Sequence, residues 1–286
     1  MKLNTGYFAD GPWSHLAFQK LIKDQDIEIS FICARLDTKD KTLRNYCYDC
    51  SIDYLKHENI NSKEFVECVS KYECNLFVSM SFNQIFKTEI INLPNLKTIN
   101  CHAGKLPFYR GRNILNWALI NDEKEFGITI HYIDDGIDTG DIVEQENYNI
   151  SENDTANDII NKQLELFPPM LISAIENIRR NKLTRVKQDL SVGAYYARRY
   201  PKDGRINWQT LTAKQVHNLV RALNGPYPPA FCNYNGERYN IISSRILEEK
   251  IMGSPGRIAL KRGNGTVVIA KDKGLQIHPL ILIQID

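Results

Sequence analysis

Three side chains in two loops carry the chemistry open to this chain. Asn100 and His102 follow the apolar run Leu96 to Ile99, and Asp138 lies in a Gly-containing loop after the apolar run Ile128 to Ile133. An amide N–H2 can donate to a developing oxyanion. An imidazole, with an ordinary pKa near ~6.5, can take or give a proton at neutral pH. A carboxylate can orient that imidazole, favour its charged form or relay protons through water. The set therefore suits a reaction that builds negative charge on one oxygen and moves one proton. It works only if the two loops meet. Two neighbouring strands of a parallel sheet would bring them together at their carboxyl ends, where open α/β sheets bind ligands.

The flanking residues sharpen this reading. The first loop runs Asn100-Cys-His102 and then Leu106-Pro-Phe-Tyr-Arg-Gly111; the second runs Asp134-Asp-Gly-Ile-Asp138-Thr-Gly140. In order and spacing these three elements resemble the 10-formyltetrahydrofolate-dependent formyltransferase family, and the likeness extends more loosely from about Gly6 to about Arg245. The resemblance implies a Rossmann-like catalytic domain, 10-formyltetrahydrofolate as co-substrate, no metal, and direct attack of an amine on the formyl carbon. Asn100, His102 and Asp138 are then the catalytic residues, with the proton route between His102 and Asp138 open. In the family the loop after the third strand cradles the pterin through backbone groups, which by position selects Met80, Ser81 and Phe82. Asp134 and Gly136 complete the folate side.

Candidates for the acceptor are more scattered. Gly11 and Trp13 open the first strand-to-helix loop, Trp13 as core or as a wall of the acceptor site. Lys105 and Arg110 flank the Leu-Pro turn, where Arg110 braces the loop in preference to contacting phosphate. Arg198, Arg199, Lys202 and Arg205 supply charge-assisted donors for a diphosphate. Tyr196, Tyr227 and Phe231 offer rings for a nucleobase. The alternative for that whole cluster is a solvated basic face at a domain junction. His131 is read as structural and Cys101 as buried filler.

The run Gly111-Arg-Asn-Ile-Leu-Asn-Trp-Ala118 is the form associated with nucleotide-sugar formyltransferases; the methionyl-tRNA enzymes resemble Gly-Ala-Ala-Pro at this place. The resemblance thus implies N-formylation of a dTDP-linked amino-dideoxy sugar for surface polysaccharide (lipopolysaccharide O-antigen) synthesis. The 4-amino-4,6-dideoxyglucose form is placed ahead of its 3-amino isomer. The alternative is a methionyl-tRNA formyltransferase. A third reading, from another class, is a nucleotide-sugar-binding module that keeps the fold without turnover.

Composition bounds these readings. The chain has 286 residues, 43% hydrophobic and 24% charged, with a net charge of +2. That charge argues against a large nucleic-acid surface, and no apolar run approaches the roughly 20 residues that span a bilayer. Seven cysteines and no visible secretory leader suit a cytoplasmic protein. Cys47-Tyr-Asp-Cys50 reads as two free thiols rather than half of a zinc site.

The elements that must position the chemistry alternate strand and helix as far as about residue 180. Strands are expected at Tyr7 to Ala9, Ile27 to Ala34, Leu76 to Met80, Leu96 to Ile99, Gly127 to Ile133 and Ile142 to Tyr148. Helices are expected from Pro12, at Ser51 to His57, Ser62 to Lys71, Ile85 to Leu93 and Ile114 to Ile120, and from Asp154 to near Arg180. This is an α/β class, a doubly wound, mostly parallel sheet, without a dinucleotide fingerprint. A helix at Thr212 to Leu223 and short strands with Asn-Gly and Lys-Gly turns follow. The expected domains are 1–205, catalytic, and 206–286, β-rich. Exposed edges in the β-rich part suggest a homodimer.

Overall fold

The structure is a computed structural model that describes residues 2–182 and 185–281. The chain forms two compact units. One comprises Met1–Gly111, Gly127–Tyr148 and Asn161–Tyr195, the other Arg112–Phe126, Asn149–Ile160 and Tyr196–Asp286.

In chain order the elements up to the first loop of interest are β1 (Leu3–Ala9), α1 (Gly11–Leu21), β2 (Ile27–Ala34), α2 (Thr42–Cys50), β3 (Asp53–Leu55), α3 (Lys63–Ser70), β4 (Leu76–Met80), α4 (Thr88–Ile91) and β5 (Thr98–His102). Then come β6 (Tyr109–Gly111), α5 (Ile114–Ile120), β7 (Glu125–Tyr132), β8 (Ile142–Asn149), α6 (Ala156–Arg179) and β9 (Ala194–Tyr196).

A seven-stranded sheet in the order β3-β2-β1-β4-β5-β7-β8 is the frame of the first unit. Strands β3, β2, β1, β4 and β5 pair in parallel. Helices cover both faces, so the central strands are buried along almost their whole length, and all five residues of β4 are buried. On one face Phe18 and Leu21 of α1 and Phe167, Leu171 and Ile175 of α6 pack on Tyr7, Ile32 and Val78. On the other, Phe8 meets Phe31, Phe77 and Phe86 edge-to-face at 4.9–5.5 Å.

The doubly wound, mostly parallel sheet is as the sequence indicates, with one consequential difference. β7 runs antiparallel to β5, so the loop after β7 does not leave the sheet beside the loop after β5. Local differences have local causes. Asp53–Leu55 is an edge strand, because pairing with β2 overrides the helical pattern of Ser51 to His57. The polar stretch before it already holds a helix from Thr42. α4 is only four residues long. Leu16 and Ile22 are 39% and 40% exposed, and the buried stripe of α1 is Ser14, Ala17, Phe18 and Leu21. Ser62 does cap α3, its hydroxyl accepting from the Phe65 N–H at 3.2 Å.

The second unit adds α7 (Ala213–Ala222), β10 (Ala230–Tyr234), β11 (Glu237–Ile246), β12 (Ile258–Arg262), β13 (Gly265–Ile269) and β14 (Gly274–Ile281). The strands form one sheet in the order β10-β11-β14-β13-β12, with every pair antiparallel. Asn235-Gly236 turns β10 into β11 with both φ positive, 50° and 84°. The β12–β13 hairpin turns at Gly263-Asn264 rather than at an Asn-Gly step, because Gly265 already pairs with Arg262. Thr212 and Gln215 make a reciprocal capping box on α7. Val216 and Val220 of α7 pack on Ile241, Val268 and Leu275. The nearly buried Arg221 donates to the carbonyls of Ser151 and Asp154 at 3.2 and 2.9 Å, joining those segments to α7. Among the described residues no helix is long and apolar enough to cross a membrane.

Candidate active site

Residues two apart on a strand share a face. Asn100 and His102 therefore project together, and Cys101 goes into the core beneath. Antiparallel pairing places His131 opposite Asn100 and Thr129 opposite His102, so all four lie on one face. The Thr129 hydroxyl donates to the Gly104 carbonyl at 2.7 Å and accepts from the Leu106 N–H at 3.3 Å, which fixes the loop after His102.

The loop 133–141 starts at the amino end of β5, where the Ile133 N–H bonds to Thr98. It then folds back along the polar face. Gly140 makes this possible, since its Cα lies against the Tyr132 carbonyl and leaves no room for a side chain. Asp134 shapes the turn, accepting from the Thr139 hydroxyl at 2.6 Å and the Gly136 N–H at 3.1 Å. Asp138 itself is in the left-handed region at φ 55°. One oxygen of its carboxylate accepts from the Gly111 N–H at 2.9 Å. The other lies 3.5 Å from Nδ1 of His102 and 3.5 Å from Nε2 of His131.

Hydrogen-bond partners assign the protons. The Tyr109 carbonyl, 2.7 Å from His102 Nε2, can only accept, so Nε2 carries a hydrogen. The Tyr132 carbonyl likewise takes a hydrogen from Nδ1 of His131 at 2.8 Å. In that tautomer Nε2 of His131 accepts from the Asn100 amide at 3.2 Å, and the second N–H of Asn100 remains for another acceptor. Burial lowers the pKa of His102, and the His131 ring adds to this; Asp138 and the Tyr109 carbonyl pull the other way without reversing it. Burial alone would raise the pKa of Asp138, but His102, His131 and the Gly111 N–H together hold it well below the usual carboxylate range. The pair at neutral pH is a neutral imidazole, with its Nδ1 lone pair toward an ionised carboxylate. It is a proton acceptor with its counter-charge in place. Burial pushes the Cys101 thiol far up, so it stays protonated and is no nucleophile.

Asn100, His102 and Asp138 are thus brought together, and His131 joins them. From sequence alone His131 reads as structural. Its signal was the pair of polar residues, Thr129 and His131, at strand spacing inside the apolar run Ile128 to Tyr132. Met80 is core, its sulfur accepting from the Tyr7 hydroxyl at 3.5 Å. Ser81 is left-handed at φ 57°, and Phe82 packs on Phe8 with ring centres 5.6 Å apart. Asp134 also lines an open groove of about 250 Å3 with Thr88, Lys97, Tyr132 and Arg185. Gly11 has φ 75° with open space where a side chain would stand. Trp13 is half-buried against the core, with its indole N–H unpartnered. Lys105 accepts the Tyr109 N–H through its carbonyl at 3.1 Å, and Arg110 keeps a buried Nε without a partner.

Tyr196, Arg198, Arg199, Lys202, Arg205 and Tyr227 belong to the second unit. There Trp117 stands 5.6 Å from Tyr196, and the Arg199 guanidinium lies 5.0 Å over the Trp117 ring. Asn113 does not cap α5; its side chain accepts the Arg199 N–H at 2.9 Å instead. Arg198 stacks on Tyr200. Lys202 is in the turn Pro201–Gly204, and Arg205 bridges to Phe231. Arg238 covers one face of the Phe231 ring at 3.6 Å. Tyr227 packs on the core of this unit.

Comparison with known proteins places the chain in a family. The family model described as formyl transferase matches residues 20–175, and that of the formyl transferase C-terminal domain matches residues 199–283. The bifunctional polymyxin resistance protein ArnA of Wigglesworthia glossinidia brevipalpis is 33% identical over 230 residues, 78% of this chain. The match takes in 35% of that protein, so this chain spans about a third of it. The methionyl-tRNA formyltransferase of Clostridium beijerinckii is 33% identical over 218 residues, 76% of this chain and 70% of that protein. Among solved structures, the sugar 3N-formyl transferase WlaRD, with dTDP and 5-N-formyl-THF, has a TM-score of 0.73 at 23% identity, covering 98% of each chain. The N-formyltransferase of Helicobacter canadensis, with folinic acid and dTDP-3-aminofucose, has a TM-score of 0.72 at 22% identity, covering 98% of this chain and 100% of that one. At these identities the two structures speak for a shared fold.

Proposed function

Because the chain belongs to the formyl transferase family, we propose that it moves the formyl group of 10-formyltetrahydrofolate to the amine of a dTDP-linked amino-dideoxy sugar. The observation that carries the reading is the Asp138 carboxylate set between two imidazoles, one of them holding the Asn100 amide.

Each residue then has one task. The free N–H of Asn100 donates to the formyl oxygen as the amine adds to the formyl carbon and the C=O electrons move to that oxygen. Nδ1 of His102 accepts the proton that the attacking nitrogen sheds. Asp138, already ionised, stabilises the imidazolium so formed. Collapse re-forms the C=O bond and breaks the bond to N10 of the folate, which takes up a proton. The products are the formamide and tetrahydrofolate. Asp134, Gly136 and the backbone of Met80, Ser81 and Phe82 form the folate side. Gly11, Trp13, Lys105, Arg110, Tyr196, Arg198, Arg199, Lys202, Arg205 and Tyr227 are proposed for the acceptor.

One assay tests this: purified protein, 10-formyltetrahydrofolate and a panel of amino-sugar nucleotides, read by mass gain of the product. Formylation of the 4-amino or the 3-amino isomer supports the reading and fixes the ring position. Formylation of methionyl-tRNA alone refutes it in favour of the activity named for the Clostridium beijerinckii relative. The net charge of +2 speaks for the sugar acceptor, because tRNA binding is dominated by phosphate contacts.

A further inference from the structure

The strap that follows α6 touches both loops around the catalytic pair. Val186 exchanges backbone hydrogen bonds with Ile142 at 2.8 and 3.0 Å. The Arg185 guanidinium lies 4.3 Å over the Tyr132 ring. Further on, Gly193, at φ 79°, packs against Pro107, and the Ala194 N–H bonds to the Phe108 carbonyl at 3.1 Å. The next carbonyl, that of Tyr109, takes the hydrogen of His102. The strap lies between the two segments that the family models match, 20–175 and 199–283.

One side chain of the strap enters the Asp138 loop. Gln188 is 6% exposed, and its amide nitrogen donates to the carbonyls of Asp138 at 3.1 Å and Gly140 at 2.6 Å. Two carbonyls can be bridged only by the donor end of the amide, which fixes its orientation. Its oxygen is buried with no partner. Such an orphan is unfavourable, and an apolar residue of the same shape would avoid it. What the site retains is the pair of donors. They anchor the carbonyl of the left-handed Asp138 and that of Gly140, across Thr139; an ordinary residue keeps that conformation only when its surroundings hold it there.

We propose that Gln188 is a positioning residue for formyl transfer, setting the distance of the Asp138 carboxylate from His102 by clamping the carbonyls of Asp138 and Gly140, on either side of Thr139. This rests on the reading above. Asp138 and His131, whose ring centre is 6.1 Å from that of His102, are the titratable groups that face His102. The Tyr109 carbonyl takes the hydrogen of its Nε2.

The test uses Gln188→Met and Gln188→Glu in the full chain, with folding checked by circular dichroism. Gln188→Met is expected to lower kcat about 10- to 100-fold, as misplacement near 1 Å does, with KM for both substrates within about threefold. The His102 imidazole, followed by NMR in the free protein, is expected to titrate at lower pH than in the wild type, because the carboxylate that raises its pKa is no longer held. Gln188→Glu is expected to be impaired at neutral pH and to recover relative to Gln188→Met as pH falls, when its protonated carboxyl again donates to a carbonyl. Wild-type kcat and wild-type titration in a folded Gln188→Met protein would overturn the proposal. If that variant does not fold, full activity of Gln188→Glu at neutral pH overturns it, and pH-dependent recovery supports it. The titration needs no turnover, so a wild type that formylates nothing sinks the proposed function while the clamp is still tested.

Discussion

Replacing Asp138 by Asn removes one charge and little volume, and its cost can be worked from the geometry. His102 becomes an imidazolium only when it takes the amine's proton, and the carboxylate then lies 3.5 Å from its Nδ1. At an effective dielectric of about 20, two unit charges at that distance attract by 332/(20 × 3.5), about 4.7 kcal/mol. That is roughly 3.5 decades of rate at 1.36 kcal/mol per decade. The Asn amide still accepts from the Gly111 N–H and presents a dipole to His102, which recovers part of the loss. The expected fall in kcat is therefore about 10²- to 10³-fold. KM for either substrate should change little, because the attraction grows only as the proton moves. Steady-state kinetics on the formylated product measure both constants. The acid limb of the kcat profile should move to lower pH, since Asp138 raises the pKa of His102 against its burial. A folded Asp138→Asn protein with kcat within threefold of wild type would refute the reasoning.

The remaining predictions use other parts of the same site. Asn100→Ala should cost about 10²- to 10³-fold in turnover, as loss of one oxyanion donor does, while nucleotide-sugar affinity measured by calorimetry stays near normal. Gly140→Ala should displace the loop from the Tyr132 carbonyl, giving a lower melting temperature and a loss of activity comparable to that of Asp138→Asn. Three histidines, His15, His102 and His217, have pKa values lowered chiefly by burial from the ordinary 6.5. The unfolded chain then binds more protons, so stability should be fully present above about pH 6.5 and fall as pH drops toward the depressed values. Melting curves between pH 8 and pH 5 check this, and His102→Asn should flatten them by its share.

How much of this the sequence carried depends on how far each determinant lies along the chain. β4 and β2 match their expected bounds because apolar, β-branched and aromatic residues dominate both. Ser62 and Thr212 mark their helix starts because a cap is a bond across three residues. Asn100, His102 and Asp138 are visible as residue types in a spaced pattern. The direction of β7 is not, because an apolar alternation has no polarity, and parallel and antiparallel pairing use the same side chains. That direction decides which residues face one another, so His131 was legible as a polar residue in a strand but not as the partner of Asn100. Asn113 shows the same limit: it has the chemistry of a cap, and a contact 86 residues away takes its side chain instead. Gln188 is the extreme case. It stands in an irregular stretch with no periodicity, and its two bonds reach back 50 and 48 residues to carbonyls that no side-chain pattern records. Side-chain identity in the two loops names the reaction class. The distance at which the carboxylate stands from the imidazole is set by backbone groups and by a strap that the loops themselves do not encode.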